Sequence, residues 1–454
     1  MASYDVIVVG GGPGGYVAAI RAAQLGQNTL VVEKDKPGGR CLNYACIPAK
    51  TILHSAEVFE DAGNSEDIGI KASKVTVDWK VVQDRREKIS AQLSGGVKML
   101  WDKNKIDQIE GEASLTADGK VKVGGDEHEA KAIVLATGSV AMPIPGVEFG
   151  DRVLDTWGAW SLNEMPKKMI VVGAGASGAE IASGYGRFGV EVTLVEMLDQ
   201  LLPAEDVDIA KVVERAFKKQ NITTMLGTAI EDVSATKTGV KAKAGSETLA
   251  ADYLVIAGGR RPDTDALNLE AAGVELEEAG RIKIDEFQRT SKEGIYAIGD
   301  LVRGPALAHK AMEEGVVAVE TAAGAPTHAV DPNGVPGATF CHPQVASVGM
   351  TEAQAVAAGH EVKAAKFKLG AVGAAPIYKD TLGIVKIVGD AKYGEILGAH
   401  IVGNRACDMI AELVAVRELE GGYPELQRII HPHPTMSEAI LDAARAVDGW
   451  ATHA

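Results

Sequence analysis

Residues 5–16 read Asp5-Val-Ile-Val-Val-Gly10-Gly-Gly-Pro-Gly-Gly15-Tyr16, followed by an Ala-rich run to Leu25 and then Thr29-Leu-Val-Val-Glu33. The pattern predicts a buried strand over Asp5–Val9, a helix over Tyr16–Leu25 and a second strand over Thr29–Glu33 that ends in an acid. Gly10, Gly12 and Gly15 then make a G-x-G-x-x-G turn between strand and helix. The glycines permit the tight turn and the close approach of a pyrophosphate to the helix N-terminus, while Glu33 stands where a ribose hydroxyl can be held. A glycine string alone is often only a turn. Flanked by strand, helix and acid, it reads as a dinucleotide site.

A second copy follows. Met169–Val172 leads into Gly173-Ala-Gly175-Ala-Ser-Gly178, then a helix to about Phe188, then a strand over Val192–Glu196. Gly10 to Glu33 is 23 positions, and Gly173 to Glu196 is also 23, a coincidence that two chance matches would rarely share. Glu196 favours a free 2′-hydroxyl, whereas a 2′-phosphate calls for Arg, so the expected nucleotide is NAD rather than NADP. Two further apolar strands, Ile133–Ser139 with Thr137 and Gly138, and Tyr253–Arg260 with Gly258, are each able to close a nucleotide domain. They read equally well as plain core strands. Gly294-Ile-Tyr-Ala-Ile-Gly-Asp300 is a short strand delivering an aspartate to a sugar hydroxyl, or else a strand-ending turn.

The chain has 454 residues, a length prior of about three domains. With 62 acidic against 46 basic residues its net charge is −16, which argues against nucleic acid or an anionic membrane surface as partner. No apolar run reaches the ~18 residues of a membrane span. The Met-Ala-Ser-Tyr-Asp start lacks the basic residues and cleavage site of a signal peptide, so a cytoplasmic, reducing location is expected. In that setting four cysteines are not a structural disulfide framework, and a close pair points to metal or redox chemistry.

That pair lies in Gly38-Gly-Arg-Cys41-Leu-Asn-Tyr-Ala-Cys46-Ile-Pro-Ala-Lys50, just after the first nucleotide strand. Five residues of regular helix rise about 7.5 Å, beyond the ~6.8 Å limit for bridged Cα atoms, so the two can join only across an irregular turn. Such a bridge should be readily reduced, and a helix start after Cys46 with Lys50 near would lower a thiolate pKa. Half a metal site or two inert thiols are the bland alternatives. Cys341 and Cys407 are isolated from the pair and from each other in sequence, so no second pair sits at ligand spacing and no metal is expected.

Near the C-terminus, His431-Pro-His433-Pro-Thr-Met-Ser-Glu438 precedes an amphipathic run, Ala439–Val447. An imidazole held by a carboxylate is the natural base for deprotonating thiols, and His433 with Glu438 supplies one. Thr435-x-x-Glu438 is equally a capping box. Sequence leaves these readings, and the choice between His431 and His433, open.

On these residues the chain resembles the FAD-dependent pyridine nucleotide–disulfide oxidoreductases over essentially its whole length. The resemblance rests on the ordered set of both fingerprints, the C-x4-C pair, Gly299-Asp300 and the terminal His-Pro motif. It implies an α/β fold with two Rossmann-like domains, for FAD and NAD, plus a C-terminal α+β domain that builds a homodimer. The implied division is an FAD domain over 1–146 and 267–334, an NAD domain over 147–266 and an interface domain over 335–454. By resemblance Cys41 meets substrate and Cys46 lies beside the flavin as the charge-transfer thiol. His433 is the base and Glu438 its orienting carboxylate, both serving the partner subunit's site. Lys50 and Glu180 resemble a pair near the flavin ring. Gly10, Gly12, Gly15, Glu33 and Asp300 match FAD-binding positions, and Gly173, Gly175, Gly178 and Glu196 match NAD-binding ones. Thr137, Gly138 and Gly258 fall at cofactor-facing turns, and Ala308 and His309 lie in a stretch packed along the isoalloxazine, though His309 reads equally as an interior histidine.

The His-x-His-Pro-Thr-x-Ser-Glu form is similar to lipoamide-type members. It implies oxidation of dihydrolipoyl groups on a protein of a 2-oxoacid dehydrogenase or glycine cleavage complex, with NAD reduced. A reductase of another low-molecular-weight disulfide and a flavin- and NAD-binding scaffold module are the rivals. The chain departs from the family pattern at Arg40, where Thr is usual, and at Tyr44-Ala45, where Val-Gly is usual. It departs again at Phe340-Cys341 and over Gly370–Tyr378.

Overall fold

The computed structural model describes residues 3–453, which fall into two units. The first runs from the N-terminal segment to Thr51 and includes Lys80–Met142 and Gly259–Pro332. The second comprises Ile52–Trp79, Pro143–Gly258 and the chain from Asn333 onward.

In the first unit, strand β1 (Ser3–Val9), helix α1 (Pro13–Gln24) and strand β2 (Thr29–Glu33) form the expected βαβ start. The central sheet runs in the order 107–110, 29–33, 3–9, 126–135, 121–123, 113–115, with Ile295–Ala297 also pairing 126–135. β1 is parallel to both β2 and Asp126–Leu135. Its continuous apolar run follows from burial on both faces. Val6, Val8, Val31 and Val134 pack with α1 through Ala18, Ala19 and Ala22, while Ile7, Val9, Leu30 and Leu135 face a second core with Leu267 and Ile282.

Helix α1 begins at Pro13, three residues before the expected start. Proline at the first helical position loses no hydrogen bond and has its φ already set, so the last glycines of the turn lie inside the helix. The strand expected over Ile133–Ser139 ends at Leu135, because Gly138 has φ +79. Thr137 and Gly138 therefore sit in a turn, and Ser139–Ala141 pairs separately with Arg260–Pro262. The strand expected over Tyr253–Arg260 likewise ends at Ile256, leaving Gly258 in a turn.

The second unit holds a parallel sheet in the order 222–225, 191–195, 168–172, 253–256, 153–154. It also holds an antiparallel three-stranded sheet over residues 230–251. A five-stranded antiparallel sheet is ordered 337–339, 345–349, 396–402, 384–390, 362–368. Its core joins strand residues Val385, Ile387 and Ile401 to Ile440, Ala443 and Ala444 of the helix Glu438–Val447. Among the described residues no helix is long and apolar enough to cross a membrane.

Candidate active site

The two glycine turns share one geometry. Gly10 has φ +105, and a Cβ there would lie 2.4 Å from the Ala136 carbonyl oxygen. Gly173 has φ +96, and a Cβ there would lie 2.8 Å from the Ala257 backbone. A Cβ on Gly15 would come within 1.9 Å of the Gly10 oxygen, and one on Gly178 within 1.8 Å of the Gly173 oxygen. The middle glycines, Gly12 and Gly175, would meet nothing within 4 Å. First and third glycines are thus required by the protein's own backbone, and the middle one leaves open space at the N-terminus of a twelve-residue helix in each case. Space with backbone N–H groups facing it fits a pyrophosphate.

The two acids also match. Glu33 Oε2 accepts the Gly11 N–H at 2.6 Å, and its Oε1 accepts the Asp35 N–H at 2.9 Å. Glu196 Oε2 accepts the Ala174 N–H at 2.7 Å, and its Oε1 accepts the Leu198 N–H at 2.9 Å. Each acid therefore braces its own glycine turn, and each oxygen keeps a second lone pair for a sugar hydroxyl. Burial pushes the Glu33 carboxyl up in spite of these donors. Glu196 is followed by exposed Met197 and Leu198 rather than by a cation that would meet a 2′-phosphate.

Asp300 lies in a short 3-10 turn after Ile295–Ala297 and accepts a hydrogen bond from the Ser139 hydroxyl. Arg260 Nε donates to the same hydroxyl at 2.8 Å. Thr137 Oγ1 donates to the Asp263 carbonyl at 2.6 Å, which fixes its turn. Ala308 and His309 begin the helix Ala308–Ala323, and His309 is exposed, not an interior histidine. Behind Asp300 is a buried pair that the sequence reading missed. Lys310 Nζ lies 2.8 Å from Glu314 Oε1, both side chains 5% exposed. Glu314 accepts the Gly299 N–H at 2.7 Å and Lys310 donates to the Gly299 carbonyl at 3.2 Å. Their i, i+4 spacing on one helix was the available signal.

The cysteines flank a helix break. Cys41 belongs to helix α2 (Gly39–Asn43) and Cys46 opens helix α3 (Cys46–Gly63), with Tyr44 between them at φ −135, ψ −9. This is the irregular turn that the spacing demanded. Neither is in a disulfide, both are half-buried, and their side chains are hydrogen-bonded to each other. That bond, and then burial, push the Cys41 thiol well above its ordinary value against the pull of Lys50. The expectation of a lowered thiolate pKa is therefore corrected for Cys41 in the dithiol. Cys46, at the positive end of the 18-residue α3, is the better seat for negative charge. Gly38 sets α2 against the first glycine turn, its N–H donating to the Gly11 carbonyl at 2.8 Å. Lys50 is half-buried on α3; Glu180, buried in the helix Ala176–Arg187, accepts the Phe340 N–H at 2.9 Å. Cys341 and Cys407, distant in sequence, are neighbours, and burial first, then Glu180 and Cys407, drive the Cys341 thiol up.

The two histidines separate in the fold. His431 has a side chain only 4% exposed and holds Glu412 at 2.7 Å through Nε2. His433 is 75% exposed, and its Nδ1 lies 2.9 Å from Glu438 Oε1. Glu438 Oε2 accepts the Thr435 N–H at 2.9 Å. Glu438 thus meets both the imidazole and a backbone donor, one oxygen for each. The capping box itself is not formed as expected, because the helix starts at Glu438 and the Thr435 hydroxyl donates to the Pro432 carbonyl instead. Burial pushes the Glu438 carboxyl up, but the Thr435 N–H and His433 outweigh it and hold it below the usual carboxylate range. Among the described residues no group of three or more His, Cys, Asp or Glu is placed to hold a metal ion.

Two dinucleotide cradles, a cysteine pair across a helix break and an exposed carboxylate-held imidazole define a nucleotide-dependent thiol–disulfide oxidoreductase. The chain belongs to the pyridine nucleotide-disulphide oxidoreductase family, whose main model matches residues 4–315 and whose dimerisation-domain model matches residues 335–444. It is 41% identical to a dihydrolipoyl dehydrogenase of Bacillus subtilis over 99% of this chain and 97% of that one. A dihydrolipoyl dehydrogenase of Corynebacterium glutamicum is 42% identical over 98% of both chains. Among solved structures, LpdA from Mycobacterium tuberculosis matches with a TM-score of 0.91 at 26% identity, over 98% of this chain and 100% of that one. The Cu(II) complex of the HOCl-induced flavoprotein disulfide reductase RclA from Escherichia coli matches with a TM-score of 0.89 at 28% identity, over 98% and 100%.

Proposed function

We propose that this protein oxidises dihydrolipoyl groups carried on a partner protein, with NAD as acceptor. The carrying observation is the Cys41–Cys46 pair astride a helix break, set directly on the glycine turn of one of two dinucleotide cradles. FAD, when bound, supplies the two-electron relay between the thiols and the nicotinamide. Gly10, Gly12, Gly15, Glu33 and Asp300 would hold FAD, and Gly173, Gly175, Gly178 and Glu196 would hold NAD. We assign the FAD domain to 1–146 and 267–334, the NAD domain to 147–266 and a homodimer interface to 335–454.

In this scheme His433 takes the proton of a substrate thiol at Nε2, because Nδ1 is engaged by Glu438. The substrate thiolate attacks Cys41 Sγ of the enzyme disulfide, the bond to Cys46 breaks, and its electron pair leaves on Cys46 Sγ. His433 gives up this first proton, which ends on the freed Cys46 thiolate, and takes that of the second substrate thiol, whose thiolate attacks the mixed disulfide and displaces Cys41, which is protonated in turn. Substrate departs as a cyclic disulfide, and the enzyme keeps two electrons as its dithiol. His433 would serve the site of a second copy in the homodimer. The lipoyl group would come from a protein of a 2-oxoacid dehydrogenase or glycine cleavage complex, in a cytosol-like compartment.

Cys46→Ser tests the scheme: dihydrolipoamide turnover should fall to background with flavin content retained, and surviving turnover would sink it. Reduction of another small disulfide is the second reading, favoured by Arg40 and Tyr44 between and beside the cysteines. Turnover measured side by side with dihydrolipoamide and glutathione separates the two.

A further inference from the structure

Tyr44 stands at the break between the two cysteines, where the sequence departs from the family pattern, and it is tied down. Its phenol donates to Asp35 Oδ2 at 2.5 Å. The Lys36 ammonium lies 5.5 Å from the centre of its ring. Its backbone N–H closes α2 on the Arg40 carbonyl at 2.7 Å. The neighbouring Asn43 is buried, and its Nδ2 donates to the Pro37 carbonyl at 3.1 Å and the Gly39 carbonyl at 2.9 Å. Asp35 in turn donates its N–H to Glu33, the acid of the first cradle. The four residues between the two cysteines are therefore fastened, through Asn43 and Tyr44, to the loop that leaves β2, and not only to their own helices. Burial first, and then Asp35, push the Tyr44 phenol up, so it remains a donor across the working pH range.

We propose that Tyr44 is a positioning residue for the redox pair: anchored by Asp35, it fixes the helix break so that Cys41 and Cys46 stay within bonding reach in the dithiol, and so favours the disulfide. Closing the disulfide removes two protons and two electrons and forms one S–S bond; the electrons and protons pass to an external disulfide, which becomes two thiols. A break held in the closing geometry raises the effective concentration of one sulfur at the other, and that concentration sets the equilibrium. Loosening the break lowers it and makes the pair more oxidising.

This rests on the reading of Cys41 and Cys46 as a redox pair. The test equilibrates full-length holoenzyme anaerobically in reduced and oxidised glutathione mixtures and scores the Cys41–Cys46 disulfide by alkylation and mass. Tyr44→Phe keeps the ring and removes only the donor. It should lower the equilibrium constant for disulfide formation about threefold to tenfold, a rise in reduction potential of up to ~30 mV. Asp35→Ala should act in the same direction, and the double variant should add little to either single one. A Tyr44→Phe constant within twofold of the parent overturns the proposal, as does a fully additive double variant. If the parent itself formed no Cys41–Cys46 disulfide in any mixture, the redox reading would fail instead.

Discussion

At the scale of single residues, the site depends on backbone conformations that few side chains tolerate and on one imidazole held at one nitrogen. Gly173 has φ +96 and no room for a Cβ beside Ala257. Gly173→Ala should therefore distort the second cradle alone. Affinity for NADH should weaken at least about tenfold, roughly 1.4 kcal/mol or more, with FAD content unchanged, as titration of the holoenzyme will read. His433 presents a free Nε2 because Glu438 occupies Nδ1. His433→Ala should slow dihydrolipoamide oxidation by about 10²–10⁴-fold while transfer from NADH to an artificial dye changes far less. Equal losses in the two assays would make the histidine structural. The His431 side chain is only 4% exposed and turned to Glu412, which disfavours it for the proposed role.

At the scale of elements, a buried charge cluster joins a helix start to a sheet within the second unit. Asp206 caps the helix Val207–Phe217 by accepting the Asp208 N–H at 2.9 Å. The same carboxylate lies 2.9 Å from Lys386 Nζ on the strand Ile384–Asp390, with side chains 2% and 4% exposed. Lys386 also reaches Asp208 at 2.9 Å and Glu352 at 2.7 Å. Burial pushes the Asp208 carboxyl up, yet Lys366 and Lys386 outweigh it and hold it at about 2. Removing the lysine alone leaves these carboxylates without their buried counter-charge, so Lys386→Met should cost about 3–5 kcal/mol in denaturant unfolding at neutral pH. The acid limb carries a sign. Depressed carboxylate pKa values give stability that is present above the ordinary range near pH 4 and lost as pH falls through the folded value. The parent should hold out to lower pH than the variant, whose acid midpoint should move up.

At the scale of the whole molecule, the C-terminal segment leaves two isoleucines exposed beside His433, the proposed base. Ile430 is 95% exposed and Ile429 38% exposed, three and four residues before His433. A second copy covering this surface would bury it and bring His433 to the partner's thiols. Ile430→Glu should shift the species seen by sedimentation toward monomer, with FAD retained and dihydrolipoamide oxidation lost in step with the dimer. A stable dimer with full activity would place the interface elsewhere. The net charge of −16 keeps such a surface from associating indiscriminately.

Both cradles are legible in the sequence, because their requirements are local. A tight turn needs positive φ at its first glycine, a pyrophosphate needs space at the middle one, and the acid follows at the end of the next strand. The cysteine spacing demanded a helix break, and the chain breaks at Tyr44. Element ends were less legible: Pro13 drew α1 toward the turn, and Gly138 and Gly258 fell outside their strands. What only the tertiary structure decided is which distant groups meet. Ser139 with Asp300, Lys310 and Glu314 on Gly299, His431 with Glu412 and Tyr44 with Asp35 are all matters of how packed elements align. Sequence supplied the side chains for a thiol base twice over, at His431 and His433. Burial of one and exposure of the other, set by the packing of the C-terminal unit, is what favours His433 in the proposed role, because a proton acceptor must be reached by the thiol it serves.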